Sequence, residues 1–255
     1  MLTAHLAALR AARRRALVCY VTAGYPDVGA SRALLQGIAA AGADVIELGV
    51  PFSDPVADGP VIQASSQAAL DRGMTLDATL ELAASVGTTA PLVLFTYLNP
   101  LLAAGSDVLV RAKSAGFSGL LVTDLPVGAD AAREEWIGSG PLAFVRLVAP
   151  TTPTERMALI ARHGGGFVYL ISRLGVTGMR DDIATDLAES VTRLRSVCAL
   201  PICVGFGVSN AAQARHIGAL ADGVVVGSAL VQAAGRSVDD AVRFVGELRQ
   251  ALDAA

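Results

Sequence analysis

The sequence predicts a single (β/α)8 (TIM) barrel with an extra N-terminal helix, one domain over residues 1–255. Eight short apolar runs recur along the chain, at 16–22, 44–48, 92–97, 119–123, 143–148, 167–172, 201–205 and 223–226. They are nearly continuous in Val, Ile, Leu and Phe rather than alternating with charges, which is how strands buried on both faces of a parallel sheet read. Helical segments lie between them, and eight βα repeats in about 250 residues is the count of a closed barrel. An open, doubly wound sheet is the competing topology. Its usual Gly-x-Gly-x-x-Gly after the first strand is missing, because the chain there reads Thr22-Ala23-Gly24-Tyr25-Pro26.

The extra helix is expected over 2–13. Arg13-Arg14-Arg15 followed by apolar residues 16–21 mimics an export signal, but the apolar part is short and runs into a turn, so it reads as the first strand. Helices are expected next at 31–41, 61–71, 76–85, 108–115, 154–162, 187–197, 211–217 and 238–252, with a further one opening at Ser228. Gly42, Gly116 and Gly164 follow helical segments as C-caps. Residues 82–106 carry no charge and are long enough by count to span a bilayer. Gly87, Pro91, Asn99, Pro100 and Gly105 break the stretch into a buried strand flanked by loops, and a soluble, cytoplasmic protein is expected.

Composition narrows the function. The chain is 53% hydrophobic and 17% charged, which excludes disorder, and its net charge of −3 without a concentrated cationic face argues against nucleic-acid binding. Three cysteines, Cys19, Cys198 and Cys203, with no CxxC, fit buried thiols rather than a disulfide framework or a zinc site. Lys113 is the only lysine and falls in a helix, so Schiff-base aldolase chemistry is excluded. His5, His163 and His216 stand alone on or beside helices, without metal-ligand spacing. No Gly-x-Ser-x-Gly elbow is present.

Carboxylates remain. Alternation along the second strand turns Ile46 and Leu48 towards the helices and Val45, Glu47 and Gly49 into the barrel. A carboxyl aimed into a lumen has its pKa raised or finds a partner. The first case suits proton transfer near neutral pH; the second is a structural Glu paired with an Arg. The following loop, 51–60, brings Asp54 and Asp58 to the face where barrels do chemistry. Asp58 can divide acid and base roles with Glu47, or simply N-cap the next helix. Asp124, after the fourth strand, can tie down a loop. Gly205-Phe206-Gly207, Gly227-Ser228 and Gly175-Val176-Thr177-Gly178 follow strands seven, eight and six. Backbone amides at such glycines and a helix start receive anions, so a phosphorylated substrate is expected.

The residues from Ile46 to Pro60, IELGVPFSDPVADGP, resemble the signature of the tryptophan synthase alpha subunit family. The resemblance continues through Tyr20–Pro26, Tyr97-Leu98-Asn99-Pro100, Asp124-Leu125-Pro126, Ala149-Pro150-Thr151-Thr152 and 167–172 to the three glycine-bearing loops, nearly the whole chain. It implies cleavage of indole-3-glycerol phosphate to indole and glyceraldehyde 3-phosphate, a retro-aldol step using neither metal nor Schiff base. It implies Glu47 as general acid–base, Asp58 as stabiliser of positive charge at the indole N–H, and Tyr169 beside Glu47. Gly178, Gly207, Gly227 and Ser228 would hold the phosphate, Phe206 and Tyr20 would line the ligand, and Thr177 would close on Asp58. The family implies a beta subunit that carries the pyridoxal phosphate, in an alpha2beta2 heterotetramer, with no cofactor on this chain. The partner would dock on the catalytic face at 51–54, 99–105 and the sixth loop. Two departures stand out: Gly128-Ala129 where acidic residues are expected, and Tyr20 where Phe is frequent. A free-standing lyase, a phosphosugar isomerase and a purely regulatory subunit are the competing functions.

Overall fold

The computed structural model describes residues 1–171, 181–205 and 207–254, without the side chains of 181–185. Eight parallel strands close in chain order into a barrel: β1 (Ala16–Thr22), β2 (Val45–Gly49), β3 (Leu92–Thr96), β4 (Phe117–Val122), β5 (Ala143–Val148), β6 (Val168–Ile171), β7 (Ile202–Gly205) and β8 (Gly223–Val226). β8 returns to pair with β1, Ala16 opposite Gly223.

The two faces of the strands explain the unbroken apolar runs. Val18, Val45, Val93, Leu121, Val145, Cys203 and Val225 fill the lumen. Leu17, Cys19, Ile46, Leu48, Leu94, Leu120, Val204 and Val224 face the helical shell. Both sets are out of water, so neither face has a place for a solvated side chain.

The shell is α1 (Leu2–Ala11), α2 (Val28–Ala40), α3 (Pro60–Leu70), α4 (Leu76–Val86), α5 (Leu98–Ala104), α6 (Val108–Ser114), α7 (Ala131–Gly138), α8 (Thr154–Arg162), α9 (Asp181–Arg195), α10 (Ala211–Leu220), α11 (Ser228–Arg236) and α12 (Val238–Asp253). Short polar residues start several of these helices. Asp27, Thr75, Asp130, Asn210 and Ser237 each accept the backbone N–H three residues on.

Helix α1 plugs the lower end of the barrel. Leu2 and Leu6 belong to the luminal cluster and are fully buried. The backbone yields to them: a Cβ on Gly119 or Gly166 would stand 2.6 Å from the Leu2 Cδ2. Two aspartates knit the same end. Asp44 Oδ2 accepts the Leu17 N–H at 2.8 Å and Arg249 Nη1 at 2.9 Å. Asp222 Oδ2 accepts the Ile202 N–H at 2.9 Å, and Arg195 lies 3.3 Å from its other oxygen. Each thus satisfies an amide near the start of the neighbouring strand, Leu17 in β1 and Ile202 in β7.

Some boundaries differ from expectation. Helix α1 stops at Ala11 rather than 13, because Arg13 takes a left-handed φ of 56°. Gly42 and Gly116 have positive φ as expected, but after α8 the left-handed residue is Gly166, not Gly164. That turn runs two residues longer to bring the chain against Leu2. The start of α9 lies at Asp181, ahead of the expected 187. Helices α5 and α7 were not expected. Pro100 reads as a breaker, yet it stands at the third position of α5, where no intrahelical N–H is required. Helix α7 buries only Ile137 and so leaves no apolar period to read. No helix among the described residues is long and apolar enough to cross a membrane.

Candidate active site

The luminal column at the upper end of the barrel is polar. Glu47, on β2, points inward as alternation requires and is 1% exposed. Its Oε1 has no hydrogen-bond partner, and no Arg pairs with it among the described residues. Among the described residues, then, the structural alternative of a Glu paired with an Arg is not built. Desolvation by burial raises its pKa from 4.5 to about 8.

Asp58 stands at the end of the β2–α3 loop. It does not cap α3: the cap position is Gly59, which makes no side-chain bond, and Pro60 begins the helix. Desolvation pushes the Asp58 carboxyl up to about 6, against a hydrogen bond from Tyr97 that lowers it. Tyr97 follows β3 directly and is 2% exposed. Its hydroxyl oxygen accepts the Ala57 N–H at 2.9 Å and lies beside the Asp58 carboxylate. In the sequence Tyr97 stands only as part of the Tyr97-Leu98-Asn99-Pro100 motif. The available signal was a lone hydroxyl ending an apolar strand on the catalytic face. Asp54 instead accepts from the exposed Ser53 hydroxyl at 2.6 Å, and Asp124 takes the Leu98 N–H at 2.8 Å and ties α5 to β4.

Tyr20 and Tyr169 complete the described lumen. Tyr169, on β6, pairs in register with Cys203, and burial, followed by the nearby Glu47, drives its phenol well above the usual range. Its hydroxyl occupies the space left by Gly205, where a Cβ would lie 2.7 Å away. Tyr20, on β1, is opposite Glu47 in register, and its ring packs edge-on to Phe95 at 4.9 Å between centroids. Its hydroxyl lies over Gly49, where a Cβ would come within 2.2 Å. Gly49 and Gly205 are therefore glycines by contact: each admits a phenol into the lumen.

The glycine-bearing loops at β7 and β8 are partly in view. Gly207 is exposed with φ of 91°, a backbone state that admits an anion-facing amide without a side chain in the way. Gly227 caps α11, and the exposed Ser228 is its first residue, so free N–H groups of that helix open towards the same mouth. Thr177, Gly178 and Phe206 lie outside the described residues. No group of three or more His, Cys, Asp or Glu among the described residues is placed to hold a metal. Cys19, Cys198 and Cys203 are free and buried.

A cleft of about 810 Å³ lies elsewhere, on the flank between α7 and α8. Its buried cation, Arg146, is fully engaged by the carbonyls of His163 and Leu125 and by Glu134 at 3.2 Å. The paired acids and phenols put the chemistry at the barrel mouth instead.

The profile of the family described as "Tryptophan synthase alpha chain" matches residues 6–253. A tryptophan synthase alpha chain from Laribacter hongkongensis is 47% identical, covering 98% of this chain and 97% of that one. Another from Geobacter sp. (strain M21) is also 47% identical, over 89% of this chain and 86% of its own length. Among solved structures, a crystal structure of tryptophan synthase from M. tuberculosis in an aminoacrylate-bound form superposes with a TM-score of 0.89 at 35% identity, covering 98% of both chains. Tryptophan synthase subunit alpha from Legionella pneumophila gives 0.90 at 30% identity, over 100% and 98%.

Proposed function

The chain belongs to the tryptophan synthase alpha chain family, and from that premise we propose how its site performs the family's lyase reaction, cleavage of indole-3-glycerol phosphate to indole and glyceraldehyde 3-phosphate. The observation that carries the assignment is Glu47: a carboxyl buried in the lumen, with no partner for its Oε1 among the described residues, whose pKa of about 8 leaves it protonated at neutral pH.

Protonated Glu47 delivers its proton to C3 of the indole ring, forming a C–H bond and leaving positive charge at the ring nitrogen. Asp58, with its carboxyl near 6, is ionised at neutral pH and stabilises that charge across the N–H. Glu47, now a carboxylate, takes the proton of the glycerol hydroxyl next to the ring. The oxygen's electrons form the aldehyde C=O, the carbon–carbon bond breaks, and its electron pair restores the aromatic ring. Glu47 ends as it began, protonated. Proton traffic in both directions needs a group whose two forms lie close in energy near working pH, which burial supplies here.

Tyr169 walls Glu47 and Tyr20 lines the ligand together with Phe206. Gly178, Gly207, Gly227 and the Ser228 hydroxyl hold the phosphate, and Thr177 closes on Asp58 to exclude water. In this reading the chain itself needs no cofactor. The relatives' family and the M. tuberculosis tryptophan synthase structures support a beta subunit as partner. We place the pyridoxal phosphate on that subunit, within an alpha2beta2 assembly docked on the catalytic face. The exposed Val56 and Leu102 beside the site give that face apolar anchors.

The test is indole release from indole-3-glycerol phosphate by the purified chain, alone and with a beta subunit. Turnover raised by the beta subunit and abolished by Glu47→Gln is expected. Wild-type turnover in Glu47→Gln refutes the assignment, and full activity with no response to the partner refutes the subunit reading.

A further inference from the structure

The two acids of the site are mounted differently. Glu47 is fixed in a strand, whereas Asp58 rides on the loop 51–60 that joins β2 to α3. The outer part of that loop is in solvent, with Ser53, Asp54, Val56 and Ala57 exposed. Its internal bonds run from the Val56 N–H to the Asp54 carbonyl at 2.9 Å and from the Asp58 N–H to the Pro55 carbonyl at 3.0 Å. Gln63 of α3 donates to the Asp58 carbonyl at 2.9 Å. These bonds shape the loop and join it to the following helix, but they do not tie it to the barrel wall.

Tyr97 makes that tie. Its backbone is extended, at φ −97° and ψ 165°, so the alternation of β3 runs one residue past the strand and Tyr97 follows Val93 and Phe95 on the inward side. Val93 is opposite Glu47 in register and Phe95 is opposite Gly49. Tyr97 therefore stands two inward positions above Glu47. From there it holds the loop at both ends. Its ring packs on Phe52 at 5.0 Å between centroids, and its hydroxyl oxygen takes the N–H of Ala57, the residue before Asp58, at 2.9 Å. Ala57 is exposed, yet it gives this N–H to a phenol that is 2% exposed.

We propose that Tyr97 is a positioning residue for the cleavage: by gripping Phe52 and the Ala57 N–H it folds the β2–α3 loop back over the lumen and sets the Asp58 carboxylate above Glu47. The inference rests on the role given above to Asp58. A carboxylate that stabilises developing charge acts only where the charge appears, and a displacement of about 1 Å costs about a hundredfold in rate. The ring and the hydroxyl have separable duties. Tyr97→Phe keeps the contact with Phe52 and frees the Ala57 N–H; Tyr97→Leu gives up both.

The experiment joins hydrogen exchange of the 51–60 segment to kinetics of indole release. In Tyr97→Phe the Ala57 amide should exchange about fivefold faster or more, the scale of one lost hydrogen bond. Its kcat should fall by about tenfold to a hundredfold, with Tm close to wild type because the aromatic packing survives. Tyr97→Leu should exchange faster and turn over more slowly still. A structural loss would give the same outcome in any background, so the deciding measurement is Tyr97→Phe added to Asp58→Ala, read in single turnover with enzyme in excess. With no carboxylate left to place, the added loss should shrink to about twofold or less. Wild-type kcat in Tyr97→Phe, unchanged exchange at Ala57, or the full loss repeated without Asp58 overturns the proposal. Failure of the parent reading shows separately, as cleavage retained in Asp58→Ala alone.

Discussion

Glu47→Gln should make this protein more stable as pH rises, while stopping its chemistry. In the folded chain the carboxyl titrates near 8, and once unfolded it returns to the ordinary value of 4.5. A raised native pKa contributes its stability below the unfolded value, and that stability is lost as pH climbs through the native one. From pH 5 to pH 8 the native state should fall relative to the unfolded chain by about 1.4 kcal/mol per pH unit, a ceiling of about 4 kcal/mol. Relaxation and water entry around the opened site reduce this to about 2 kcal/mol. Glutamine has the same shape and no titration, so its variant escapes the decline. It buries an amide with one oxygen's worth of missing partners, a cost of about 1–3 kcal/mol that is the same at every pH. The diagnostic quantity is therefore the change with pH, not the stability at one pH. Urea unfolding of both proteins at pH 5 and pH 8 measures it. The stability of the variant relative to wild type should improve by about 2–4 kcal/mol between the two. A difference that is flat with pH, or that worsens, would refute burial as the origin of the raised pKa.

The kcat/KM of the wild-type enzyme should be bell-shaped, falling below about 6 as Asp58 gains a proton and above about 8 as Glu47 loses one; a profile flat through pH 8 excludes Glu47 as the acid. Leu6→Ala, far from the mouth, should lower stability in urea by about 2–4 kcal/mol and leave kcat unchanged, because it opens a cavity at the lower plug. Gly207→Val places a β-branched residue at a φ of 91° and should raise KM by about tenfold or more, with kcat less affected, by displacing the amide proposed to face the phosphate.

Much of this molecule could be read from the chain because a closed parallel barrel writes two apolar faces into every strand. Ala16–Thr22, Ala143–Val148 and Gly223–Val226 appear where expected, and the inward aim of Glu47 follows from parity alone. What escaped depends on contacts made across the fold. Tyr97 becomes part of the site only because the β2–α3 loop folds back to put the Ala57 N–H and Asp58 on its hydroxyl. Pro100 is a breaker or an early helical residue according to whether something receives the Leu98 N–H, and Asp124, from the next strand, does. The same dependence separates one acid from another. Asp44 and Asp222 begin strands at the lower end, and each is met by a strand amide and an arginine. Glu47 lies in the same barrel, also buried, with an oxygen that nothing among the described residues meets. A carboxylate that is fully partnered is held in one protonation state and serves the fold. One left without partners keeps both states within reach, and that destabilising vacancy is what proton transfer at the upper end requires.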